Sequence, residues 1–445
     1  MSEWLEPPGV AVPLTALHSS RAQQLATLLE REAIAYATLV EVRASESNDV
    51  VLCDVEVERA QRVVHPIERV ERLAVTFDKD DQQMPEAFAL RADFPRVPHL
   101  NLRREEFPRS LCLYDEPFDE IRSRWTPPTY VERVRSWLAL TAKGKLHADD
   151  QPLEPLLYGY TGHIILPAGL MSNPAADDLV LTATSMEPGT ACFKVYHADQ
   201  APPGRGLNVT VSTHLCEPQQ HGVITARPGT LEELARFTAM AGLDLLAELR
   251  SRLKNGKENC ADKPAETTYR QSNLLFLVTF PKQRSAGAAA EGADLWAFLT
   301  TKTVEEVGED IGLWTVHNSE LGFEFAPPTE RCGSGIPLDL LDPVFGLTRE
   351  RAALLNGDSP AEDQPRIVAI GAGALGSQME FNLARAGYGQ WTIVDHDRTF
   401  PHNLARHGLF GHEIGYQKAE GVAAYANLIT EDPPAFAHQS VNVLR

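Results

Sequence analysis

Three glycines near the C-terminal end of the chain have the spacing of a phosphate-binding turn. Gly371, Gly373 and Gly376 directly follow the apolar run Arg366–Ile370 and open a stretch of helical character. In such a turn the first glycine permits a tight bend, the second lets a phosphate approach the backbone, and the third allows close helix–strand packing. The helix start then presents unpaired N–H groups and a positive dipole end to an anion. Nicotinamide, flavin and adenylate folds all use this turn, so it predicts a nucleotide site without specifying the nucleotide.

Polar residues beyond the glycines narrow that choice. Asp395 ends the next apolar run, where a carboxylate can accept hydrogen bonds from ribose hydroxyls. It belongs to Asp395-His396-Asp397, which is followed by Asn403-Leu404-Ala405-Arg406 and by Gly415-Tyr416-Gln417-Lys418. This order resembles the D-x-D, N-L-x-R and G-x-x-K pattern of the ThiF and ubiquitin-activating enzyme family.

The resemblance implies an adenylation site for ATP and Mg²⁺. It assigns the cofactor contacts to Gly371, Gly373, Gly376, Asp395, Asp397, Asn403, Arg406 and Lys418. Asp395 would hold the ribose, and Asn403, Arg406 and Lys418 would contact the phosphates. An enzyme that attacks the α-phosphate needs cations on the polyphosphate, where charge develops, whereas hydride transfer does not. His407 stands where the family usually has glutamine.

A cysteine in the first third of the chain lies in a second pattern. His99-Leu100-Asn101 precedes Ser110-Leu111-Cys112-Leu113, and Trp125-Thr126-Pro127 follows. The order resembles the H-P-N, catalytic C-L and W-x-P elements of ubiquitin-conjugating enzymes. Leu100 replaces the expected proline, and the spacing of eleven residues from Asn101 to Cys112 is slightly long.

This second resemblance implies thioester chemistry. Cys112 would accept a modifier protein, Asn101 would stabilise the oxyanion formed when an amine attacks, and His99 would shape the loop. Trp125 would pack beneath the active-site segment. The alternative is a buried structural cysteine in a Leu-Cys-Leu strand, since free cysteine is among the most buried residue types.

Other chemically capable residues match weaker patterns. Acidic residues after Cys112 could help to deprotonate an attacking lysine or could simply be solvated: Asp115 and Asp119. Several histidines and a cysteine in the middle of the chain match no metal-ligand spacing, so the sequence predicts no metal held by protein ligands alone: His163, His197, His214 and Cys216. Arg349 and Arg351 precede the glycine strand where activating enzymes have arginines that reach ATP, although a helix-surface role is favoured.

Composition sets the class of protein. The 445 residues include 41 basic and 61 acidic ones, and the net charge of −20 disfavours nucleic-acid and anionic-membrane partners. No apolar stretch is long enough for a membrane span. The six cysteines are scattered and form no C-x-x-C pair, which favours reduced thiols and a cytoplasmic location.

The elements that must position these residues follow from hydrophobic periodicity. In the first part we predict a helix over Leu14–Ala35, strands at Ala37–Val42, Val50–Glu58 and Arg72–Phe77, a proline-punctuated loop, and a helix over Tyr130–Thr141. In the middle we predict strands at His163–Leu166, Leu179–Thr184, Ala191–Tyr196 and Leu274–Phe280, one helix over Thr230–Leu253, and loops at 254–270 and 283–293. At the end, Arg366–Ile370 reads as a doubly buried parallel strand that begins a βαβα order.

The predicted fold class is α/β with α+β, in three domains. Residues 1–147 form a ubiquitin-conjugating-like α+β domain, 148–345 a mixed α/β linker domain, and 346–445 the first part of a Rossmann-like ThiF adenylation domain. The chain stops where the third strand of that fold should end. The family's magnesium-binding aspartate and activating cysteine would lie beyond Arg445. We therefore expect a fragment that cannot adenylate alone.

The joint interpretation is ATP-dependent, ubiquitin-like conjugation through a Cys112 thioester. Fusions of this type occur in antiviral operons resembling the cyclic-oligonucleotide (CBASS) systems. The resemblance implies a protein substrate with a free C-terminus, which could be a cyclic-oligonucleotide synthase. It also implies a lysine-bearing target and a homodimer formed through the full-length adenylation domain. Two alternatives remain: a sulfur-carrier adenylyltransferase with a non-catalytic N-terminal binding domain, and a nicotinamide-dependent oxidoreductase.

Overall fold

The structure is a computed structural model of the chain. It describes residues 3–59, 61–102, 108–148, 150–172, 180–186, 190–197, 200–202, 206–317, 320–323, 332–357 and 364–443. No helix among these residues is both long and apolar enough to span a lipid bilayer.

The N-terminal part is a six-stranded antiparallel meander with helices on one face. Its elements are β1 (Val10–Ala11), α1 (Ser20–Glu30), β2 (Ala37–Ala44), β3 (Asn48–Glu56), β4 (Val70–Asp78), β5 (Glu86–Ala89), β6 (Arg109–Ser110), α2 (Phe118–Ile121) and α3 (Pro127–Lys143). The sheet order β1-β2-β3-β4-β5-β6 follows the chain, and α1 and α3 share one core with it. Strands β2 and β3 are joined by a tight turn, as antiparallel neighbours allow.

The first predicted helix is shorter than its apolar pattern suggested. A 3-10 turn occupies Leu14–Ala16, and α1 begins only after Ser19, whose side chain accepts a hydrogen bond from the amide of Ala22. The helix ends at Glu30, and Glu32 adopts a positive φ of 48° just beyond it. The cap decides the start because its oxygen satisfies an otherwise unpaired amide.

The middle part is a closed barrel, whereas the sequence predicted only a mixed α/β linker domain. Its elements are β7 (Leu157–Tyr158), β8 (Gly162–Leu166), β9 (Val180–Ser185), β10 (Cys192–Tyr196), β11 (Leu207–Leu215), β12 (Gln219–Gln220), β13 (Thr225–Ala226), α4 (Leu231–Met240), α5 (Leu245–Glu258), α6 (Lys263–Gln271), β14 (Asn273–Gln283), β15 (Ala290–Thr303), α7 (Val304–Asp310), β16 (Trp314–His317), β17 (Glu320–Phe323) and β18 (Leu338–Phe345). The order β11-β9-β10-β8-β18-β15-β14 closes on itself because β11 also pairs with β14. Residue 179 of the predicted strand Leu179–Thr184 lies outside the described residues.

Strand β14 is buried on both faces, and alternate side chains enter two different cores. Leu275 and Leu277 pack inside the barrel, whereas Phe276 and Val278 pack under the helices α4–α7 outside it. Successive strand side chains point to opposite faces, so a continuous apolar run is required when both faces are covered.

Three predictions in this part were wrong. The single helix over Thr230–Leu253 is two, α4 and α5, because Gly242 turns the chain with a φ of 77° and Asp244 caps the second helix. Residues 254–270 are not a loop, since α5 continues to Glu258 and α6 follows a cap at Asp262. The predicted loop 283–293 includes the start of β15. Polar composition concealed these elements, whose exposed faces are polar.

The last part is a three-stranded parallel sheet with three helices. Its elements are α8 (Arg349–Leu355), β19 (Arg366–Ile370), α9 (Ala374–Arg385), β20 (Gln390–Val394), α10 (Lys418–Ala426) and β21 (Phe436–Gln439), and the sheet order is β19-β20-β21. The prediction that β19 is buried on both faces was wrong, because Val368 and Ile370 are 65% and 68% exposed. Helices α9 and α10 belong to the core on the opposite face of the sheet.

Candidate functional site

The loop before Cys112 is joined to the cysteine segment by a short antiparallel pairing. Leu100 and Leu111 form a β-bridge, and the amide of Cys112 donates to the carbonyl oxygen of His99 at 3.0 Å. The amide of Asn101 donates to the carbonyl oxygen of Ser110 at 2.8 Å. The pairing places the predicted residues His99, Asn101 and Cys112 side by side, although the segment between them in sequence is long.

Asn101 anchors this pairing through its side chain. Its Nδ2 donates to the hydroxyl of Ser110 at 2.8 Å and to the carbonyl oxygen of Leu111 at 3.1 Å. An amide nitrogen has two hydrogens, so both donors are engaged. Asn101 therefore holds the loop in this conformation, and its predicted role at an oxyanion requires that one of these bonds be exchanged during the reaction.

Cys112 is half-buried at the edge of an open groove of about 830 Å³. The groove runs between the cysteine segment and α3, and among its lining residues are Tyr114, Asp115 and Trp137. The Cys112 thiol lies 3.8 Å from the carbonyl oxygen of Tyr114. Burial, followed by the negative charges of Glu154 and Asp115, raises the pKa of the Cys112 thiol. The resting thiol is thus protonated, and a base must remove its proton as it reacts.

The segments on either side of the cysteine are held by α3 and by the core. Arg133 on α3 donates to the carbonyl oxygen of Leu113 at 2.6 Å, and its guanidinium lies 4.3 Å from the centre of the Tyr114 ring. Trp125 is 8% exposed and packs edge-on against Phe77 at 6.1 Å. Trp125 belongs to the core of the N-terminal sheet, and its packing beneath the active-site segment stays a prediction.

Two residues that the sequence did not indicate join His99 from beyond α3. His147 Nδ1 lies 3.2 Å from His99 Nε2, and Glu154 Oε1 lies 3.4 Å from His99 Nδ1. Both belong to the connection between α3 and the barrel. Their polar, loop-like surroundings carry no motif, and only the packing of the barrel against the Cys112 loop brings them to His99.

The glycine turn has the geometry expected of an anion cradle. Gly371 has a φ of 102°, which a side chain would strain, and a Cβ on Gly376 would lie 2.1 Å from the carbonyl oxygen of Gly371. A Cβ on Gly373, by contrast, would meet nothing within 4 Å. Gly373 caps the twelve-residue helix α9, whose first amides have no helical acceptor. Open space in front of those amides suits a phosphate group.

Ala372, between the first two glycines, is held from both sides. Asp395 Oδ2 accepts from the amide of Ala372 at 2.8 Å, and His407 Nε2 lies 2.6 Å from its carbonyl oxygen. The amide of Leu409 donates to His407 Nδ1 at 3.1 Å, so Nε2 must carry the proton. Burial lowers the pKa of His407 and keeps this imidazole neutral. The histidine that replaces the family's glutamine thus provides the same donor and acceptor as an amide.

The predicted phosphate ligands lie on the loops that follow β20. Lys418 is 7% exposed at the start of α10, and its Nζ lies 3.0 Å from Asp397 Oδ2. This contact lowers the pKa of Asp397. Asn403 Oδ1 accepts from the amide of Phe400 at 2.8 Å, and Arg406 is exposed. Lys418, which Asp397 holds in place, and the exposed Arg406 are cations of the kind that a polyphosphate requires.

The remaining candidates have structural partners. Arg349 donates to the carbonyl oxygen of Gly389 at 2.7 Å, which supports its helix-surface interpretation. His163 pairs with Asp342 at 3.3 Å, and His214 with Glu248 at 2.8 Å. Cys216 is buried, and burial raises the pKa of its thiol to about 12. Within the described part of the chain, two groups are close enough to hold a metal ion: His99 with His147 and Glu154, and Asp395 with His396 and Asp397.

Two family models match the chain. The model described as prokaryotic E2 family A matches residues 32–177, and the ThiF family model matches residues 361–435. The first match contains the Cys112 loop and the second contains the glycine turn, Asp395 and Lys418.

Similar proteins match shorter stretches. The ATP-dependent ubiquitin transferase-like protein Cap2 of Enterobacter hormaechei subsp. hoffmannii (strain UCI 50) is 37% identical over 70 residues, which are 16% of this chain and 12% of that protein. A structure of Escherichia coli MccB with ATP is 24% identical over 18% of this chain and 24% of its own, with a TM-score of 0.17. A structure of TcdA (CsdL) is 28% identical over 21% of this chain and 35% of its own, with a TM-score of 0.18. Both matches fall where the motifs predicted them, so the chain combines a stretch similar to prokaryotic E2 family A with a stretch similar to the ThiF family.

Proposed function

We propose that this protein takes part in ATP-dependent, ubiquitin-like conjugation in which Cys112 carries an acyl group as a thioester. The observation that carries the proposal is the position of Cys112, which opens onto a groove at the end of a loop anchored by Asn101. The glycine turn on the same chain supports a nucleotide-dependent source for the acyl group. The similar protein Cap2 is an ATP-dependent ubiquitin transferase-like protein.

The proposed chemistry at Cys112 has two steps. The thiol loses its proton, and the sulfur attacks the carbonyl carbon of an activated C-terminus. The bond between that carbon and its activating group breaks, and the activating group leaves. A lysine amine then attacks the thioester carbon, the carbon–sulfur bond breaks, and the amine loses a proton as the amide forms. Asp115 lies in the groove beside the thiol, and hydrogen bonding by its own amide lowers the pKa of its carboxyl. The ionised carboxylate can orient the incoming ammonium group and accept its proton.

ATP, when bound, would supply the adenylyl group that activates a carboxylate, with pyrophosphate as the leaving group. The residues present fit it: the amides at the start of α9 and Lys418 bind phosphate oxygens, and Asp395 accepts from the ribose hydroxyls. Asp395 retains lone pairs for this purpose, because each carboxylate oxygen accepts a single backbone amide in the structure. Asp397 holds the Lys418 ammonium through a contact of 3.0 Å.

Acyl transfer is tested with a synthetic peptide ending in Gly-Gly as its mercaptoethanesulfonate thioester. We expect intact-mass and peptide analysis to find the acyl group on Cys112, labile to thiols, and to find its release accelerated by free lysine. Cys112→Ser should yield a thiol-stable ester, and Cys112→Ala should yield no adduct at this position. Cys192→Ala, which changes a half-buried cysteine on β10, is the matched control. A wild-type chain that acquires no acyl group on Cys112 would refute the thioester role.

Nucleotide choice is tested by thermal unfolding of the chain with ATP or NADH. We expect ATP to raise the melting temperature and Lys418→Ala to weaken that effect, since a charge-assisted hydrogen bond contributes about 1.5–3 kcal/mol. Protection by NADH in place of ATP would support an oxidoreductase. ATP binding together with full function of Cys112→Ala in the host would support a sulfur-carrier adenylyltransferase with a non-catalytic N-terminal domain.

The partners and the setting belong to the same proposal. The family resemblance suggests a cyclic-oligonucleotide synthase as the modifier-like protein, a lysine-bearing target, dimerisation through the adenylation domain and a role in antiphage defence. Deleting the C-terminal residues of a co-expressed synthase should then abolish its covalent attachment. Persistent attachment would exclude that protein as the modifier.

A further inference from the structure

Three side chains from separate parts of the fold converge next to the Cys112 loop. His99 comes from the loop that pairs with the cysteine segment, and it has a positive φ of 57°. His147 follows the C-cap of α3 at Gly144, and Glu154 lies on the connection to the barrel. One ligand atom from each residue lies within 4.8 Å of the other two.

The distances between these atoms are those of a small metal site. His99 Nε2 and His147 Nδ1 are 3.2 Å apart, and His147 Nδ1 lies 3.8 Å from Glu154 Oε1. Tetrahedral Zn²⁺ has bonds of about 2.0–2.1 Å to nitrogen and oxygen, which place neighbouring ligand atoms about 3.3 Å apart. The separation of the two histidine nitrogens matches this edge, whereas the separation from His147 to Glu154 is longer, so the carboxylate must move closer as an ion binds.

Packing partly shields the cluster from solvent. The His147 side chain is only 9% exposed, and the side chains of His99 and Glu154 are 24% and 17% exposed. Two facing imidazole nitrogens and a carboxylate are also a donor set that divalent transition metals favour.

The barrel holds Glu154 in place for this role. Lys282 Nζ donates to the backbone carbonyl oxygen of Glu154 at 3.2 Å and pairs with Asp294 at 2.7 Å. The amide of Glu154 donates to His221 Nδ1 at 3.3 Å, and the His221 ring lies 4.5 Å from that of His147. A Cβ on Gly222 would lie 2.9 Å from Pro98, so the same turn touches the His99 loop. These contacts fix the backbone that presents the carboxylate.

We propose that His99, His147 and Glu154 bind one Zn²⁺ ion that ties the Cys112 loop to the barrel. Zinc fits better than Mg²⁺ or Ca²⁺, which prefer oxygen ligands and higher coordination numbers. Water occupies the fourth position, because Cys112 does not belong to the group of mutually close ligand atoms. The proposal is independent of the conjugation chemistry, since it concerns only the binding of an ion.

The test is a Zn²⁺ titration of the chain after removal of metals with EDTA. We expect one equivalent to bind, as measured by competition with a chromophoric chelator, and to raise the melting temperature. Loss of an outer-sphere partner typically weakens a metal site about 10–100-fold, so loss of a ligand in His147→Ala or Glu154→Gln should weaken it by more. Co²⁺ in place of Zn²⁺ should give the intense visible absorption of a four-coordinate site.

The matched control is His163→Ala, which removes an exposed histidine on the barrel and should leave Zn²⁺ affinity unchanged. Glu154→Gln keeps the size of the side chain, so it separates loss of a ligand from loss of folding. Three outcomes would overturn the proposal: no stoichiometric binding, unchanged affinity in both ligand variants, or weak octahedral-type Co²⁺ absorption.

Discussion

The carbonyl oxygen of His99 accepts a hydrogen bond from the amide of Cys112 at 3.0 Å, and this contact joins the loop directly to the nucleophile. Asn101 stabilises the same pairing from its other end through Ser110 and Leu111. A change that weakens this pairing should therefore alter three properties of Cys112: the protection of its amide from hydrogen exchange, the reactivity of its thiol and the rate of its acyl transfer.

Replacing Asn101 with alanine should open the Cys112 loop. The change leaves the Ser110 hydroxyl and the Leu111 carbonyl oxygen without a donor, which costs about 1–3 kcal/mol. Hydrogen–deuterium exchange of the peptide that contains Cys112 should become faster, and Ser110→Ala, which removes one of the two bonds, should have a smaller effect. Unchanged exchange combined with slow acyl transfer would instead assign Asn101 to the oxyanion alone.

The Cys112 thiol should react slowly at neutral pH. Burial and the charges of Glu154 and Asp115 raise its pKa, so the rate of alkylation by iodoacetamide should still increase above the ordinary thiol pKa of about 8.5. In EDTA-containing buffer at pH 8, Glu154→Gln should accelerate alkylation several-fold and Asp115→Asn should do so less. Cys53, whose thiol pKa burial raises to about 12, is the internal control in peptide mass spectrometry. A rate that levels off below pH 8.5 would contradict this prediction.

The glycines of the turn should respond differently to alanine. Gly376→Ala drives a Cβ against the carbonyl oxygen of Gly371 and should lower the melting temperature, because a backbone atom cannot move aside cheaply. Gly373→Ala has free space and an ordinary φ of −78°, so the melting temperature without ligand should stay close to that of the wild type. Its methyl group would occupy the phosphate cradle, and ATP should then lose its stabilising effect. Normal ATP stabilisation of Gly373→Ala would place the nucleotide elsewhere.

His407 should make the ThiF domain sensitive to acid. Burial lowers the pKa of His407 in the folded chain, so the unfolded chain binds more protons just below the ordinary histidine pKa of about 6.5. The free energy of unfolding must therefore fall as the pH drops from about 6.5 towards the folded-state pKa.

The variant His407→Gln tests this assignment, because an amide can donate to Ala372 and accept from Leu409 without titrating. Its melting temperature should fall less between pH 7 and pH 5 than that of the wild type, and ATP stabilisation should be retained. His407→Ala should lose stability at both pH values. Equal acid sensitivity of the wild type and the glutamine variant would show that other groups cause it.

Local patterns in the sequence were sufficient for both motif regions. The Gly371–Gly376 turn, the Asp395 segment and the W-x-P element around Trp125 depend on short-range spacing, and the matched family models fall on these regions. Strands such as β3 and β20 were also predictable, because one or two buried faces impose a readable hydrophobic period.

Long-range pairing was decided by the tertiary structure alone. Strands β11 and β14 are far apart in sequence, and their parallel pairing closes the barrel. No local pattern specifies which distant strand edges meet. The exposure of Val368 was missed for a related reason, because an apolar run is the same whether one or both faces of the sheet are covered.

The candidate site residues also divide into those that the sequence predicted and those that only the structure revealed. The sequence alone determined that Cys112, His99 and Asn101 belong together, and that Asp395 and Lys418 follow a nucleotide turn, because spacing along one chain segment carries that information. Only the tertiary structure showed that both amide hydrogens of Asn101 bond to the loop and that His407 contacts the carbonyl oxygen of Ala372. It also showed that His147 and Glu154 lie next to His99. Those relationships depend on the direction of side chains and on the packing of one domain against another. Neither leaves a periodic pattern or a fixed spacing in the sequence.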